Sequence, residues 1–170
     1  KKKLTIGFPS LLQSINYNTV EGGVLQVVPT IRKEFGGRNS LSVVPDLRYG
    51  FANRHFNPSL AATVQFGNKY LQRISVSGGK KVLQFNNANP VGNRINTLYT
   101  LMGEYNYQKL YEAAFFQAGY SSGIGSGFNI NAGFEFQDRY PLENLPDMVS
   151  WKDHASRQFT PNFPAELTPV

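Results

Sequence analysis

Phe128, Ile130, Ala132, Phe134 and Phe136 alternate with Asn129, Asn131, Gly133, Glu135 and Gln137. Period two over about ten residues fits a strand with one apolar and one polar face, and no helix presents that pattern. The run closes a longer stretch, residues 106–142, in which a first extended segment is joined to it by a Gly- and Ser-rich loop, a hairpin signature. Folding the first segment back about residue 124 predicts Tyr120, Ala118, Phe116 and Ala114 beside Phe128, Ile130, Ala132 and Phe134. Large then meets small on one face, while Gln117, Asn129, Asn131 and Glu135 share the other. The run matches the roughly 9–11 residues that a tilted strand needs to cross a bilayer. The expected fold is therefore all-β, an antiparallel transmembrane β-barrel, present here as a segment of a larger outer-membrane barrel.

Composition does not oppose this. Hydrophobic content is 41% and mean hydropathy −0.33, as alternating faces average out. No run of about 18 apolar residues exists to form a membrane-crossing helix. Aromatics reach 14%, with 13 Phe and 9 Tyr, which suits interfacial girdles and equally a soluble β-sandwich core. The net charge of +6 is scattered apart from Lys1–Lys3 and Lys80–Lys81, and no recognition motif accompanies it, so no nucleic-acid partner is expected. With no cysteine, disulfide and Cys-metal frameworks are excluded. The start at Lys1 without Met, and a Pro-rich end, suggest a piece of a longer or processed chain.

Along the chain, Leu11–Tyr17 reads as a first strand and Asn18–Gly23 as a tight link. Val24–Glu34 and Leu41–Phe51 flank Gly36-Gly37, a turn signal. Pairing them about residue 37 sets Leu25, Val27, Pro29 and Ile31 opposite Tyr49, Leu47, Pro45 and Val43. Gln26 then meets Arg48, Val28 meets Asp46 and Arg32 meets Ser42. One register thus sorts both strands into an apolar and a mostly polar face. Facing prolines remove two ladder donors, which predicts either a local opening or a register displaced by two. Ser59–Phe66 and Tyr70–Ser77 flank Gly67-Asn68-Lys69 as another tight hairpin, with Phe66 and Tyr70 placed for a girdle. Val82–Phe85 reads as a short strand and 86–93 as a loop; Leu98, Leu101, Met102 and Tyr105 keep helical spacing while Ile95, Thr97, Tyr99 and Leu101 alternate, so helix and strand stay open there. Residues 1–142 hold the barrel strands and loops, and 143–170 form a Pro-rich loop with Trp151. Links near 36, 68 and 124 are short and those near 54, 90 and after 138 long, the alternation of periplasmic turns and extracellular loops.

Two segments carry a family resemblance: Asn18-Thr19-Val20-Glu21-Gly22 and Asn106-Tyr107-Gln108-Lys109-Leu110-Tyr111-Glu112. Ser77–Lys80, Gln84–Asn86, Leu98–Leu101 and Arg139–Leu142 fall in the same order. Over about residues 11–142 the chain resembles a Bacteroidota outer-membrane family of unknown function. Its members join an N-terminal carboxypeptidase-regulatory-like domain to a C-terminal β-barrel. The resemblance implies an outer-membrane location and no established chemistry. It marks Asn18, Glu21, Gly22, Asn106 and Glu112 as motif residues of unknown role, with Gln108 standing where an apolar residue is expected.

Candidate chemistry is thin. His55 and His154 sit in separate predicted loops without ligand spacing, and Ser121–Gly127 lacks the Gly-Lys-Ser/Thr ending and following helix of a phosphate loop. Glu104 with Glu112 is the nearest approach to a carboxylate pair. Neither a cofactor nor a metal nor an enzymatic activity is expected. The register instead turns Arg32, Asp46, Arg48, Arg73, Lys109, Tyr111 and Glu135 toward the lumen, with Glu112 on the outward face near the strand's end. A charge facing lipid at mid-membrane costs roughly 2–4 kcal/mol. Such a lumen holds a ligand or plug, or only the hydrogen-bond ladder that any barrel needs. The expected role is a non-enzymatic envelope barrel for transport, assembly or scaffolding, with outer-membrane lipid and other envelope proteins as partners. The alternative is a soluble lipocalin-like barrel with Leu25, Val27, Phe134 and Phe136 around an apolar ligand.

Overall fold

The computed structural model describes residues 2–86, 90–103, 105–125, 127–145 and 159–162. Its strands are β1 (Lys3–Gly7), β2 (Ile15–Asn18), β3 (Gly22–Val27), β4 (Thr30–Gly36), β5 (Asn39–Gly50), β6 (Phe56–Phe66), β7 (Gln72–Gln84), β8 (Leu110–Ile124) and β9 (Phe128–Pro141). A helical turn, α1 (Leu11–Ser14), precedes β2, and helix α2 (Asn93–Gly103) lies between β7 and β8. All nine strands belong to one antiparallel sheet. β1 pairs with β4, β2 with β3, and β5 with both β3 and β4. Each of β1/β2 and β3/β4 therefore fills one position, giving seven positions in sequence order and no closure among the described residues.

The register expected around Gly36-Gly37 is the one found: Leu25 pairs with Tyr49, Gln26 with Arg48, Val27 with Leu47, Ile31 with Val43 and Arg32 with Ser42. Pairing lapses at Val28 and Pro29, so the expected strand Val24–Glu34 is two strands. The reason is chemical, since a proline in each chain leaves no ladder donor at that row. Pro45 pairs only on its other side, with Leu60. Leu11–Tyr17 is corrected likewise. Leu11–Ser14 coils at the same break, the strand begins at Ile15, and a separate β1 precedes it.

The last hairpin keeps its predicted faces but not its predicted offset. Phe116 pairs with Phe136, Ala118 with Phe134, Tyr120 with Ala132 and Ser122 with Ile130. The fold centre is residue 126, and each partner moves by four, because the strands continue to Ile124 and from Phe128. An even displacement leaves every side chain on its face. The link after β6 runs over 67–71 and takes Tyr70 off the strand, and β7 absorbs the short strand expected at Val82–Phe85. The open question over 95–101 resolves as helix. Ile95, Leu98, Tyr99 and Met102 line one exposed side of α2, while Asn96 and Thr100 are buried on the other.

One residue from each position builds a continuous apolar row: Ile6, Ile31, Val43, Ala62, Val76, Ala118 and Phe134. This face is left open, with Leu25, Leu47, Leu60, Ile74 and Phe134 all exposed. Among the described residues 31 large hydrophobics are exposed and only seven hydrophobic residues buried, the reverse of a domain that folds around an interior core. Val20, Leu110 and Leu142, with Val82 against them, form a small cluster at one end of the sheet. That end carries the links 51–55 and 85–109 and the chain from 142 onward, whereas 37–38, 67–71 and 125–127 lie at the other; 51–55 and 67–71 are equally long, five residues each, so the expected alternation of short and long links does not hold for that pair.

Candidate functional site at the long-loop end

The two motif blocks lie at the same end of the sheet. Asn18 ends β2, and its side-chain oxygen accepts from the backbone N–H groups of Val20 (2.9 Å) and Glu21 (2.8 Å), an Asx-type turn that starts β3. Gly22 follows with φ +66°, and a Cβ there would stand 2.8 Å from the Ala52 Cβ, so only glycine fits. The Glu21 carboxylate is fully buried. It accepts from the Asn18 amide at 2.8 Å, from Arg48 Nε at 2.8 Å and from Arg48 Nη2. Arg48 Nη1 donates to Gln26 Oε1 at 2.9 Å, and the Gln26 amide donates to both Asp46 oxygens at 2.9 and 3.0 Å. A two-pronged guanidinium–carboxylate contact is the geometry in which a buried charge pair offsets its desolvation.

The 51–55 link packs onto this turn. Phe51 and Ala52 donate backbone N–H groups to Gly23 and Glu21, both at 2.9 Å. A Cβ on Gly50 would come within 2.3 Å of Asn53 Oδ1 and 2.9 Å of Glu21 Cβ. Nearby, the Asn57 amide and Asn53 Nδ2 are buried with no hydrogen-bond partner among the described residues; such groups are commonly bridged by ordered water.

The second block leads into β8. Asn106 exchanges two hydrogen bonds of 2.7 Å with Thr160, through Thr160 O and Oγ1. Lys109 Nζ donates to Thr160 Oγ1 at 2.6 Å and Thr160 O at 3.2 Å, and burial lowers its pKa below the usual lysine value. Gln108 is buried: its N–H donates to Asn96 Oδ1, and its side-chain amide to Val91 O and Asn93 Oδ1. That explains a polar residue at this position, because it ties the start of α2 to β8. Asn162 lies between the ends of β8 and β9, accepting from Leu110 N at 2.8 Å and donating to Leu110 O and Leu142 O. Thr19 Oγ1 meets Asn144 at 2.7 Å, and Leu145 N donates to Thr19 O.

Glu112 closes the arrangement. Its carboxylate lies 3.0 Å from His55 Nδ1 and 3.8 Å from Lys80 Nζ. His55, expected as a solvated loop residue, is thus half-exposed yet engaged with β8. Strand alternation puts Glu112 with Leu110, Ala114 and Phe116, as the sequence predicts.

Of the residues expected to face the lumen, Arg32, Asp46, Arg48, Arg73, Tyr111 and Glu135 share one face of the sheet by register. They do not meet as one group. Asp46 and Arg48 join the Glu21 chain; Arg32 lies 3.6 Å from Glu34; Arg73 donates to Gln65 at 3.4 Å; Glu135 pairs across from Gln117. Tyr111 is buried, with Phe85 against it (centroids 4.9 Å) and Arg139 over its ring. Lys109 precedes β8 rather than lying on it. Glu104, Ser126, Trp151 and His154 lie outside the described residues.

Among the described residues no three His, Cys, Asp or Glu side chains gather as metal ligands, and no helix is long and apolar enough to cross a membrane. Within the Glu21 chain the Glu21 carboxylate accepts three hydrogen bonds and the Arg48 guanidinium donates three. Comparison with known proteins returns a model described as a family of unknown function (DUF5686), C-terminal domain, matched over residues 1–169. No curated protein and no solved structure matches.

Proposed function

The chain belongs to the C-terminal domain family of DUF5686, a family of unknown function, and from that premise we propose that it forms part of a β-barrel in a bacterial outer membrane. In this reading the protein comes from the Bacteroidota and follows a carboxypeptidase-regulatory-like domain. Its role is non-enzymatic, in transport, assembly or scaffolding within an envelope complex, with lipid on the apolar face and other envelope proteins at the loops.

The observation that carries the reading is the facing of the sheet. Exposed side chains on the apolar face include Leu25, Leu47, Leu60, Phe116 and Phe134, whereas Ser40, Arg48 and Asn57 on the polar face are buried. Lipid takes the first set and a polar lumen the second. A soluble lipocalin-like barrel needs the opposite arrangement. On β9 the apolar positions run from Phe128 to Phe136, a span that fits a tilted crossing. Lys33 and Lys69 lie over Phe35 and Tyr70 near the short-turn end, as snorkelling lysines and a girdle would. Helix α2, with its apolar side outward beside β2, suits the opposite interface.

The test is thiol labelling of Phe134→Cys and Asn131→Cys in intact membranes. A bilayer-soluble probe labelling position 134, with a water-soluble probe reaching only 131, is the expected result. Recovery of the protein entirely in the soluble fraction, with 131 labelled and 134 protected, refutes the reading.

A further inference from the structure

Each step across the sheet reverses strand direction, and six steps separate the β1/β2 position from β9. The two edges that are free among the described residues therefore run in the same sense, from the short-turn end toward the long-loop end. Along β9 thirteen of fourteen residues are exposed, only Gln137 being partly covered. In hydrocarbon an unpaired peptide group costs several kcal/mol, and about half the groups of an edge strand point outward. An edge of this length cannot stay open in a bilayer.

Polarity decides what covers it. Joining β9 to the β1/β2 edge of the same sheet gives a parallel seam. A second copy in the same membrane orientation also offers only edges of that sense, so its seam is parallel too. We infer that an odd number of further strands bridges the two edges. The one on β9 runs from the long-loop end to the short-turn end and comes from the same polypeptide, downstream of Asn162. The inference rests on the outer-membrane barrel reading.

The course of the chain supports this occupant. β9 leaves the sheet at Pro141, and residues 159–162 return to the same rim, where Asn162 bonds Leu110 and Leu142 beside the last strand. A strand descending from there is the next step of an up-and-down order. Its own alternation is fixed by β9, with apolar residues beside Ile130, Phe134 and Phe136 and polar ones beside Asn131 and Glu135.

The experiment uses the full natural polypeptide in its membrane. Cysteines walked one by one downstream of Asn162 are paired with single cysteines at Tyr140, Phe134 and Phe128. As the downstream position advances, the disulfide partner is expected to move from 140 to 134 to 128. Amides of β9 are expected to exchange as slowly as those of β8. Three results overturn the inference: a cross-link from Ile6→Cys to Ile130→Cys or Phe134→Cys within one chain, a dimer disulfide through Phe134→Cys, or β9 amides exchanging at unpaired rates. Membrane fractionation and heat-modifiable gel mobility of the same samples report on the barrel itself. A soluble protein sinks the parent reading, whereas a membrane barrel with any of those three results sinks this inference alone.

Discussion

Replacing Arg48 by Met tests whether the Glu21 chain holds the long-loop end together. The substitution keeps most of the side-chain volume and removes both guanidinium contacts to a carboxylate with no exposed surface. Glu21 is left with the Asn18 amide, and Gln26 loses its Arg48 donor. Removing one member of a buried pair strands the other charge, a loss of about 3–5 kcal/mol. Arg32→Met is the internal control. Its partner Glu34 lies 3.6 Å away with both side chains about half exposed, and exposed pairs contribute about 0–1 kcal/mol. The assay is equilibrium urea unfolding of the protein refolded in lipid vesicles, read by heat-modifiable mobility. The double variant Arg48→Met/Glu21→Met should recover much of the loss, since an apolar pair leaves no orphaned charge. A loss near that of Arg32→Met, or a double variant as weak as the sum of the singles, would show that water or a rearranged neighbour already solvates Glu21, and the argument would fail.

Gly22→Ala should destabilise the fold by about 1–3 kcal/mol in the same unfolding assay, because φ +66° and a 2.8 Å approach to Ala52 combine. Asn162→Ala should cost about 1–3 kcal/mol and speed hydrogen exchange at Leu110, whose N–H it leaves without its 2.8 Å partner. Lys109 gives a pH signature. Its folded-state pKa lies below the unfolded value, so the native state binds fewer protons between the two values and gains stability as pH rises through that window toward 10.5. The stability difference between wild type and Lys109→Met, measured against pH, should slope over that window and flatten below it. On the proposed lipid face, Phe134→Arg should cost about 2–4 kcal/mol and Asn131→Arg far less, as measured by folding into vesicles.

The register of β3 and β4 on β5 was legible because a two-glycine turn fixes the offset and two alternating strands must agree in phase. The β8–β9 offset was not. Period two is blind to a displacement of four, and a loop of Gly and Ser accepts many lengths. β1 is not legible because five residues carry too little alternation, and Leu11–Leu12 has strand-like sequence because only the break at Pro29 makes room for a helical turn. Only part of the long-loop cluster was legible: Asp46 and Arg48 through the register, and Asn18, Glu21, Gly22, Asn106 and Glu112 through the family resemblance, while Thr160 and Asn162 carried no signal. Glu21 and Arg48 are 27 residues apart, His55 and Glu112 57, and Leu110 and Asn162 52, and none of these pairs follows from a local period.

That division has a physical basis which bears on the role of the rim. Along the strands one apolar side chain substitutes for another with little change in facing, so the pattern specifies location and little else. At the long-loop end the requirements are individual: an Asx turn, a glycine under Ala52, a carboxylate that accepts three hydrogen bonds, and an asparagine bonded to the ends of both β8 and β9. Buried polar chains of this kind stabilise little compared with apolar packing, and their best-attested use is to select one arrangement over its neighbours. The protein thus places its most specific bonds where the links 19–21, 51–55 and 85–109 and residues 142–145 and 159–162 converge. In the proposed barrel, a rim held this firmly would present a fixed surface to an envelope partner. On that proposal the strands would set the location, and the loops that this cluster positions would set what is recognised.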